Sequence, residues 1–583
     1  MAVWDQLDVN QAHKTYAVLG IFTTLFCLVS LLMKERLFVG EAFISTVTGV
    51  IVGPHAANIM NPLEWSDNPD FLTLEISRII LIVQLFAVSV ELPQRYIKKH
   101  LVSLIVLLCF TMILGWVITG LFTWIIFPEF NFIDGLAITA AITATDPVLA
   151  AAIVGKGKFS ERIPAYIRDL LSAESGANDG LAFPFVLLAV DILTKKGHPG
   201  IIIRDWFCIA ILYECVFGVL LGTVIGYLGK KAIQFCEARN MVDKQSLLVF
   251  YITLSLICTG LGSILGVDDL LVAFAAGAAF AWDGWFVKQS EGQQLSNSID
   301  LLLNVGYFLY FGTIIPWEDF NNKEIGLHWW RLVLLGIAII FLRRIPAALA
   351  AKPFVPDIKS WKEALFVGHF GPVGVGGIFC SIVTKSAIEG HFTKEETPID
   401  EIDESMPHYW VLRCIWPIVS FIVIVSILVH GFSVTAIVFY SKMKKGDVSS
   451  KTLDTNATTL EAKQQQDMES IKLNEFREAT SDEGIGSSNL HLRRNSTKAG
   501  KLLGKNYTKR KDELKMETLK FFKIGRDILV EDSKDTIVKK YRLNDEDPES
   551  NDLDLNLTFE NDNNGIYDDD EVKKMIRGLF PKK

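Results

Sequence analysis

The sequence predicts an all-α polytopic membrane protein of about 13 transmembrane helices, followed by a largely disordered polar tail. Three observations predict it. Half of the 583 residues are hydrophobic and 38 are Phe, yet 21% are charged, which fits a chain made of two unlike parts. Apolar runs long enough to cross a bilayer recur from the N-terminus to about Tyr440. From Ser441 to Lys583 those runs stop, and the composition is too polar to bury a core.

Taken in order, the apolar segments start near Thr15, Leu37, Thr73, Leu101, Phe132, Asp169, Trp206, Gln245, Val267, Ser298, Trp329, Trp361 and His408. An odd number of crossings puts the two ends on opposite faces. Alternate loops collect the cations: Lys34 and Arg36; Arg95, Lys98 and Lys99; Lys156, Lys158, Arg162 and Arg168; Lys230, Lys231, Arg239 and Lys244. Lys195, Lys196 and Arg204 lie on the other side without reversing the balance, so the N-terminus is expected outside and the tail in the cytosol. The N-terminus has no basic n-region or small-residue cleavage site, which predicts no cleaved signal peptide. Trp282, Trp285, Trp329 and Trp330 near span ends read as an aromatic belt. The eight cysteines show neither metal-site nor disulfide spacing and read as small core residues. The net charge of −9 implies no nucleic-acid partner, and no cofactor is expected.

Two segments carry helix breakers at depth. The fifth contains Thr143-Ala144-Thr145-Asp146-Pro147, and the twelfth runs Gly368-His369-Phe370-Gly371-Pro372-Val373-Gly374-Val375-Gly376-Gly377. Their spacing predicts that segments 1–6 repeat as 8–13, inverted, about a linking seventh. Paired breaks in corresponding positions point to a binding site at the midplane. Unwound backbone survives there only where it is buried in protein or lines a cavity.

The sixth segment holds the chemistry, in Glu174-Ser175-Gly176-Ala177-Asn178-Asp179-Gly180. A carboxylate at bilayer depth costs several kcal/mol unless paired, hydrated or bound to an ion. Asp179 is the leading candidate for a group that holds a proton or a monovalent cation but not both; Asn178 adds an amide without charge. At the fifth break Pro147 disfavours helical geometry at Asp146, freeing carbonyls and the Thr145 hydroxyl for a hard cation. Asp146 is equally suited to cap the second half-helix. Glu174 needs a partner, and Arg343 and Arg344 in segment eleven need one too; one of the two arginines is expected to snorkel to the interface. Glu91 ends segment three and reads equally as a boundary residue or a cavity ligand. Asp268 and Asp269 open segment nine as N-cap and first-turn acids, with an accessory role open to them. His369 is a candidate for transport or pH sensing.

With these residues in view, the chain resembles the monovalent cation/proton antiporter superfamily, most closely the plasma-membrane sodium/proton antiporters of fungi. The resemblance covers about residues 5–440. It is carried by Val90-Glu91-Leu92-Pro93, Ala144-Thr145-Asp146-Pro147, the Glu174–Asp179 stretch, Gly266-Val267-Asp268-Asp269-Leu270-Leu271, Phe341-Leu342-Arg343-Arg344-Ile345-Pro346 and Phe366-Val367-Gly368-His369-Phe370-Gly371-Pro372. It implies a sodium/proton antiporter fold with crossing discontinuous helices, in a homodimer. It also implies that Asp179 is the transport carboxylate, with Na⁺ held by Asp179, Ser175, Thr145 and Glu91, and that Glu174 pairs with Arg344. The expected activity is secondary active exchange of intracellular Na⁺ or Li⁺, with K⁺ a further candidate, for extracellular H⁺ by alternating access. That makes the protein a transporter and not an enzyme, serving pH homeostasis and salt tolerance. Relatives with Asn before the Asp are often electroneutral, because the second carboxylate is missing.

Within the tail, Arg493-Arg494-Asn495-Ser496 is a basophilic kinase motif, and residues 511–530 read as an amphipathic helix able to dock on the inner leaflet or on the protein itself. The tail is therefore expected to be regulatory, with kinases or other regulatory proteins as partners. The sequons at Asn456, Asn506 and Asn556 are expected to stay unglycosylated in the cytosol. A cation channel would favour rings of charge or carbonyls over one Asp at a broken helix, and a receptor would not need charges inside the spans.

Overall fold

A computed structural model of the chain describes residues 8–33, 40–147, 149–150, 163–286, 295–392, 399, 402, 404–451 and five strands between 504 and 554. It divides into two compact units, Met1–Ser450 and Lys451–Lys583.

The first unit is helical: α1 (Gln11–Leu32), α2 (Glu41–Val52), α3 (Pro69–Glu91), α4 (Leu101–Ile126), α5 (Phe132–Ala140), α6 (Ala165–Gly180), α7 (Phe183–Thr194), α8 (Pro199–Ala238), α9 (Lys244–Leu265), α10 (Asp269–Phe280), α11 (Leu295–Thr313), α12 (Trp329–Phe354), α13 (Trp361–His369), α14 (Val375–Phe392) and α15 (Tyr409–Lys451). Among the described residues seven helical stretches are long and apolar enough to cross a bilayer, and four shorter apolar helices accompany them. Large apolar side chains such as Leu28, Ile125, Ile203, Leu220 and Ile264 stay exposed, while Phe86, Tyr307, Phe308, Phe311, Phe370 and Phe379 are fully buried. That inside-outside pattern suits a lipid surround, which accepts exposed Leu and Ile at no cost. Where helices must approach closely the chain supplies glycine: a Cβ on Gly226 of α8 would lie 2.0 Å from the Ala276 carbonyl oxygen of α10.

The fifth and twelfth segments are split. An Asn131–Asp134 capping box starts α5, which ends at Ala140; the chain then runs unwound until helix resumes at Pro147. A Ser360–Glu363 capping box starts α13, and residues 370–374 stay unwound before α14. The breaks meet, with the Asp146 N–H donating to the Pro372 carbonyl at 2.8 Å.

Several expectations need correction. Helix α15 continues past Tyr440 to Lys451, so the first unit ends later than the hydropathy boundary. Cys27, Cys109 and Cys208 are exposed rather than core residues; all eight cysteines are free. Where the expected amphipathic helix over 511–530 falls on described residues (511, 515–524 and 527–530), they are strand. The second unit is an antiparallel meander, β1 (Gly504–Lys511), β2 (Lys515–Ile524), β3 (Asp527–Glu531), β4 (Ile537–Leu543) and β5 (Leu553–Asp554), in sequential order. Met516, Thr518, Phe522 and Ile524 share one parity along β2, and β3 and β4 hold the strand formers Ile528, Val530, Ile537, Val538 and Tyr541. Period two and β-branching win over a weak helical stripe. Asn506 lies in β1, whereas Asn456, Asn556 and the Arg493–Ser496 motif fall outside the described residues.

Candidate functional site

The site forms where the two breaks meet α6 and α12. Asp146 serves both resumed helices: its Oδ1 accepts the Leu149 N–H at 2.9 Å, and its Oδ2 accepts the Val375 N–H at 3.0 Å. One carboxylate thus faces two helix N-termini, where partial positive charge collects. Glycine makes the approach possible, because a Cβ on Gly374 would sit 2.0 Å from Asp146 Oδ2.

Arg343 serves the opposite ends. Its Nη1 donates to the Ile142 carbonyl and, at 3.2 Å, to that of Ala144, and its Nη2 donates to the Gly371 carbonyl. These are carbonyls of the two unwound stretches, which lack intrahelical partners. A carboxylate on the N-terminal ends and a guanidinium on the C-terminal ends neutralise four half-helix dipoles within a buried crossing.

Arg344 turns to α6. Its Nη2 donates to Glu174 Oε2 at 2.5 Å and its Nε to the Val367 carbonyl at 3.1 Å. Both arginines are 6% exposed, so neither snorkels. Consecutive residues on an α-helix point about 100° apart, which ordinarily sends one of them outward. Here a π-helical turn spans Ile339–Arg343, Arg344 leaves the helix with φ −117°, and Pro346 opens the next turn. This irregularity lets both face inward, as π-turns at functional sites often do.

Ser175, Asn178 and Asp179 are fully buried on α6. Asn178 Oδ1 accepts the Thr145 N–H at 3.0 Å, its Nδ2 donates to Thr145 Oγ1 at 2.8 Å, and Thr145 Oγ1 lies 2.9 Å from Ser175 Oγ. The Asn178 amide therefore clamps the first break and has its oxygen committed to it. Asp179, one turn after Ser175, differs: it is 1% exposed, and neither carboxylate oxygen has a hydrogen-bond partner among the described residues. A Cβ on Gly376 would stand 2.6 Å from its Oδ1, so the second residue of α14 is a glycine that leaves the carboxylate room. Buried without a partner, such a group needs a proton or a cation to become neutral.

The remaining candidates lie elsewhere. Glu91 is exposed at the end of α3 and makes no hydrogen bond to this cluster among the described residues. His369 faces Ser433 Oγ at 2.9 Å, and His430 Nε2 lies 3.0 Å from the His369 carbonyl oxygen. Both histidines line a cavity of about 20 Å³ behind Arg343. Asp268 caps α10 by accepting the Leu271 N–H at 3.0 Å. Asp269 accepts from Arg78 Nη1 at 3.1 Å and from Ser263 Oγ at 2.9 Å.

Sequence reasoning missed Arg78, whose guanidinium also stands 5.5 Å from the Phe379 ring, and Lys385, which bridges Asp70 at 3.0 Å and Glu389 at 3.3 Å. Both are basic residues inside apolar stretches. Their charge inside an apolar run marks them in the sequence by the same cost as Arg343 and Arg344.

The family model described as "Sodium/hydrogen exchanger, transmembrane" matches residues 21–440. The chain is 54% identical over 435 residues to Na(+)/H(+) antiporter 2 of Zygosaccharomyces rouxii, covering 74% of this chain and 54% of that protein. It is 52% identical over 460 residues to a Na(+)/H(+) antiporter of Saccharomyces cerevisiae, covering 79% and 46%. It thus spans about half the length of these two relatives. A Na(+)/H(+) antiporter of Schizosaccharomyces pombe is 42% identical over 448 residues, covering 76% of this chain and 93% of that one. Among solved structures, the sodium proton antiporter MjNhaP1 from Methanocaldococcus jannaschii shares the fold, with a TM-score of 0.52 and 18% identity, over 72% of this chain and all of that one.

Proposed function

The chain belongs to the sodium/hydrogen exchanger family, and from that premise we propose that it exchanges intracellular Na⁺ or Li⁺ for extracellular H⁺, with cation and proton competing for Asp179. The observation that carries this reading is the buried carboxylate of Asp179, unpartnered among the described residues, at a crossing of two broken helices. A site that takes one of two occupants and opens alternately to each face is an exchanger. The hydroxyls of Thr145 and Ser175 are the further oxygen ligands of this proposal. Asp146 and Arg343 hold the half-helices, and Glu174 with Arg344 ties α6 to α12. K⁺ is a second candidate cation, since oxygen ligands alone do not select among alkali ions.

The proposal extends to the setting. The transporter acts as a homodimer in the plasma membrane, with the N-terminus outside, and serves pH homeostasis and salt tolerance. The first unit, Met1–Ser450, carries transport as two inverted repeats, and the remainder to Lys583 is cytosolic and regulatory. Reconstitution tests the core of it. In liposomes loaded acid inside, added Na⁺ is expected to dissipate the pH gradient; dissipation by a chloride gradient and not by alkali cations would rule the reading out.

A further inference from the structure

We propose that Lys385 is a positioning residue that keeps the exchange site closed to one face of the membrane. Its ion pair with Asp70 latches α14 to α3 across the seam in which Asp179 lies. The proposal rests on Asp179 as the exchange site and on an N-terminus outside, which makes the latched face the outer one.

Close approaches draw the seam. Helix α3 packs on α10, where a Cβ on Gly277 would lie 2.7 Å from the Phe86 carbonyl oxygen. Helix α6 meets both: a Cβ on Gly176 would lie 2.7 Å from Phe274 Cε2 of α10 and 3.5 Å from Val88 Cγ1 of α3. Asp179 therefore sits between the α3–α10 pair and α14, whose Gly376 abuts it. Alternating access requires these two sides to part at one membrane face while they stay joined at the other.

Beyond Gly376 the two sides are joined. The Arg78 guanidinium of α3 stands 5.5 Å from the Phe379 ring of α14. Lys385 lies about 14 Å farther along α14 than Gly376, at 1.5 Å per residue. Its Nζ meets Asp70 Oδ2, in the first turn of α3, at 3.0 Å and Glu389 Oε2 at 3.3 Å. Lys385 is 2% exposed. A buried ion pair adds little net stability over apolar packing, and its best-attested use is to fix how two elements sit together. Glu389 makes this one reversible. It lies one turn from Lys385 on the same helix, so the ammonium keeps a carboxylate when α14 leaves α3. Asp70, whose side chain is 20% exposed, is then released toward water. The face opens without stranding a buried charge.

The test uses Asp70→Asn, which removes the charge across the seam and leaves the Lys385–Glu389 pair, and Asp70→Glu, which keeps the charge. The reporter is the native Cys380, 1% exposed and one turn after Gly376 on α14. Intact cells expressing the full chain are treated with a membrane-impermeant maleimide, and labelling is read by peptide mass spectrometry. Cys380 is expected to react several-fold faster in Asp70→Asn than in the wild type, with Asp70→Glu close to the wild type. In right-side-out and inside-out vesicles, the KM for Na⁺ at the outer face is expected to fall several-fold in Asp70→Asn, and the KM at the cytosolic face not to fall. A larger share of the protein then stands open outward, which raises apparent affinity there alone. Equal Cys380 labelling of wild type and Asp70→Asn would overturn the latch, as would KM values that stay level at both faces while yield and rate drop. Faster labelling confined to inside-out vesicles would overturn its outer placement. Absence of Na⁺-dependent proton flux in the wild type, with Cys380 labelling still governed by Asp70, would overturn the exchange reading and not the latch.

Discussion

At the scale of single residues, the charges of the crossing divide by whether the protein itself satisfies them. Glu174 is matched by Arg344 at 2.5 Å. Removing one member of a buried pair strands the other, at a cost of about 3–5 kcal/mol. Glu174→Gln or Arg344→Gln is therefore expected to lower folded yield and detergent melting temperature sharply. The double substitution should recover part of the loss but not all, because Arg344 Nε also holds the Val367 carbonyl. A strictly additive double mutant would contradict the pairing. Gly376→Ala makes a different prediction. Its methyl would press on Asp179 Oδ1, 2.6 Å away, so the apparent cation affinity should fall several-fold with little change in folded yield. Unchanged transport kinetics would show that the carboxylate does not need that space. These residues were legible in sequence to different degrees. A carboxylate or guanidinium inside an apolar run announces itself by cost, whereas the commitment of the Asn178 amide to Thr145 depends on which helices touch.

At the scale of elements, the two breaks were readable from Pro147 and the glycine-rich run from Gly368 to Gly377, because both oppose helix by backbone sterics. What closes the breaks was only half readable. Asp146 was a natural N-cap, but sequence could not show that it caps two helices. Each capping bond contributes about 0.5–2 kcal/mol, so Asp146→Ala, which loses both, should destabilise by about 1–4 kcal/mol in chemical denaturation. Asp146→Asn keeps an acceptor oxygen for one of the two caps only and loses the charge facing both N-termini, and should still cost less than Asp146→Ala. Equal costs for the two would remove the capping account. The inward turn of both Arg343 and Arg344 was hidden, since a π-turn has no sequence signature comparable to proline.

At the scale of the whole molecule, the division into an apolar unit and a polar remainder was evident from composition, and the boundary moved by about three helical turns because α15 reaches Lys451. The strands from Gly504 onward were missed because Leu514, Met516, Leu519, Phe522 and Ile528, set among lysines and acids, fit a loose helical stripe as well as a strand pattern. A chain truncated after Lys451 keeps every residue of the crossing and is expected to retain cation-dependent proton flux; its loss in a correctly inserted protein would move the functional boundary into the second unit.

The central claim is that Asp179 is the group for which cation and proton compete. Its carboxylate makes no hydrogen bond among the described residues, so the folded protein should tolerate its neutralisation. The most direct measurement is Na⁺-dependent proton flux in proteoliposomes for wild type and Asp179→Asn, with melting temperature followed on the same preparations. The expected result is flux in the wild type, none above background in Asp179→Asn, and an equal or higher melting temperature for the variant. Substantial Na⁺-coupled proton flux through Asp179→Asn would contradict the claim.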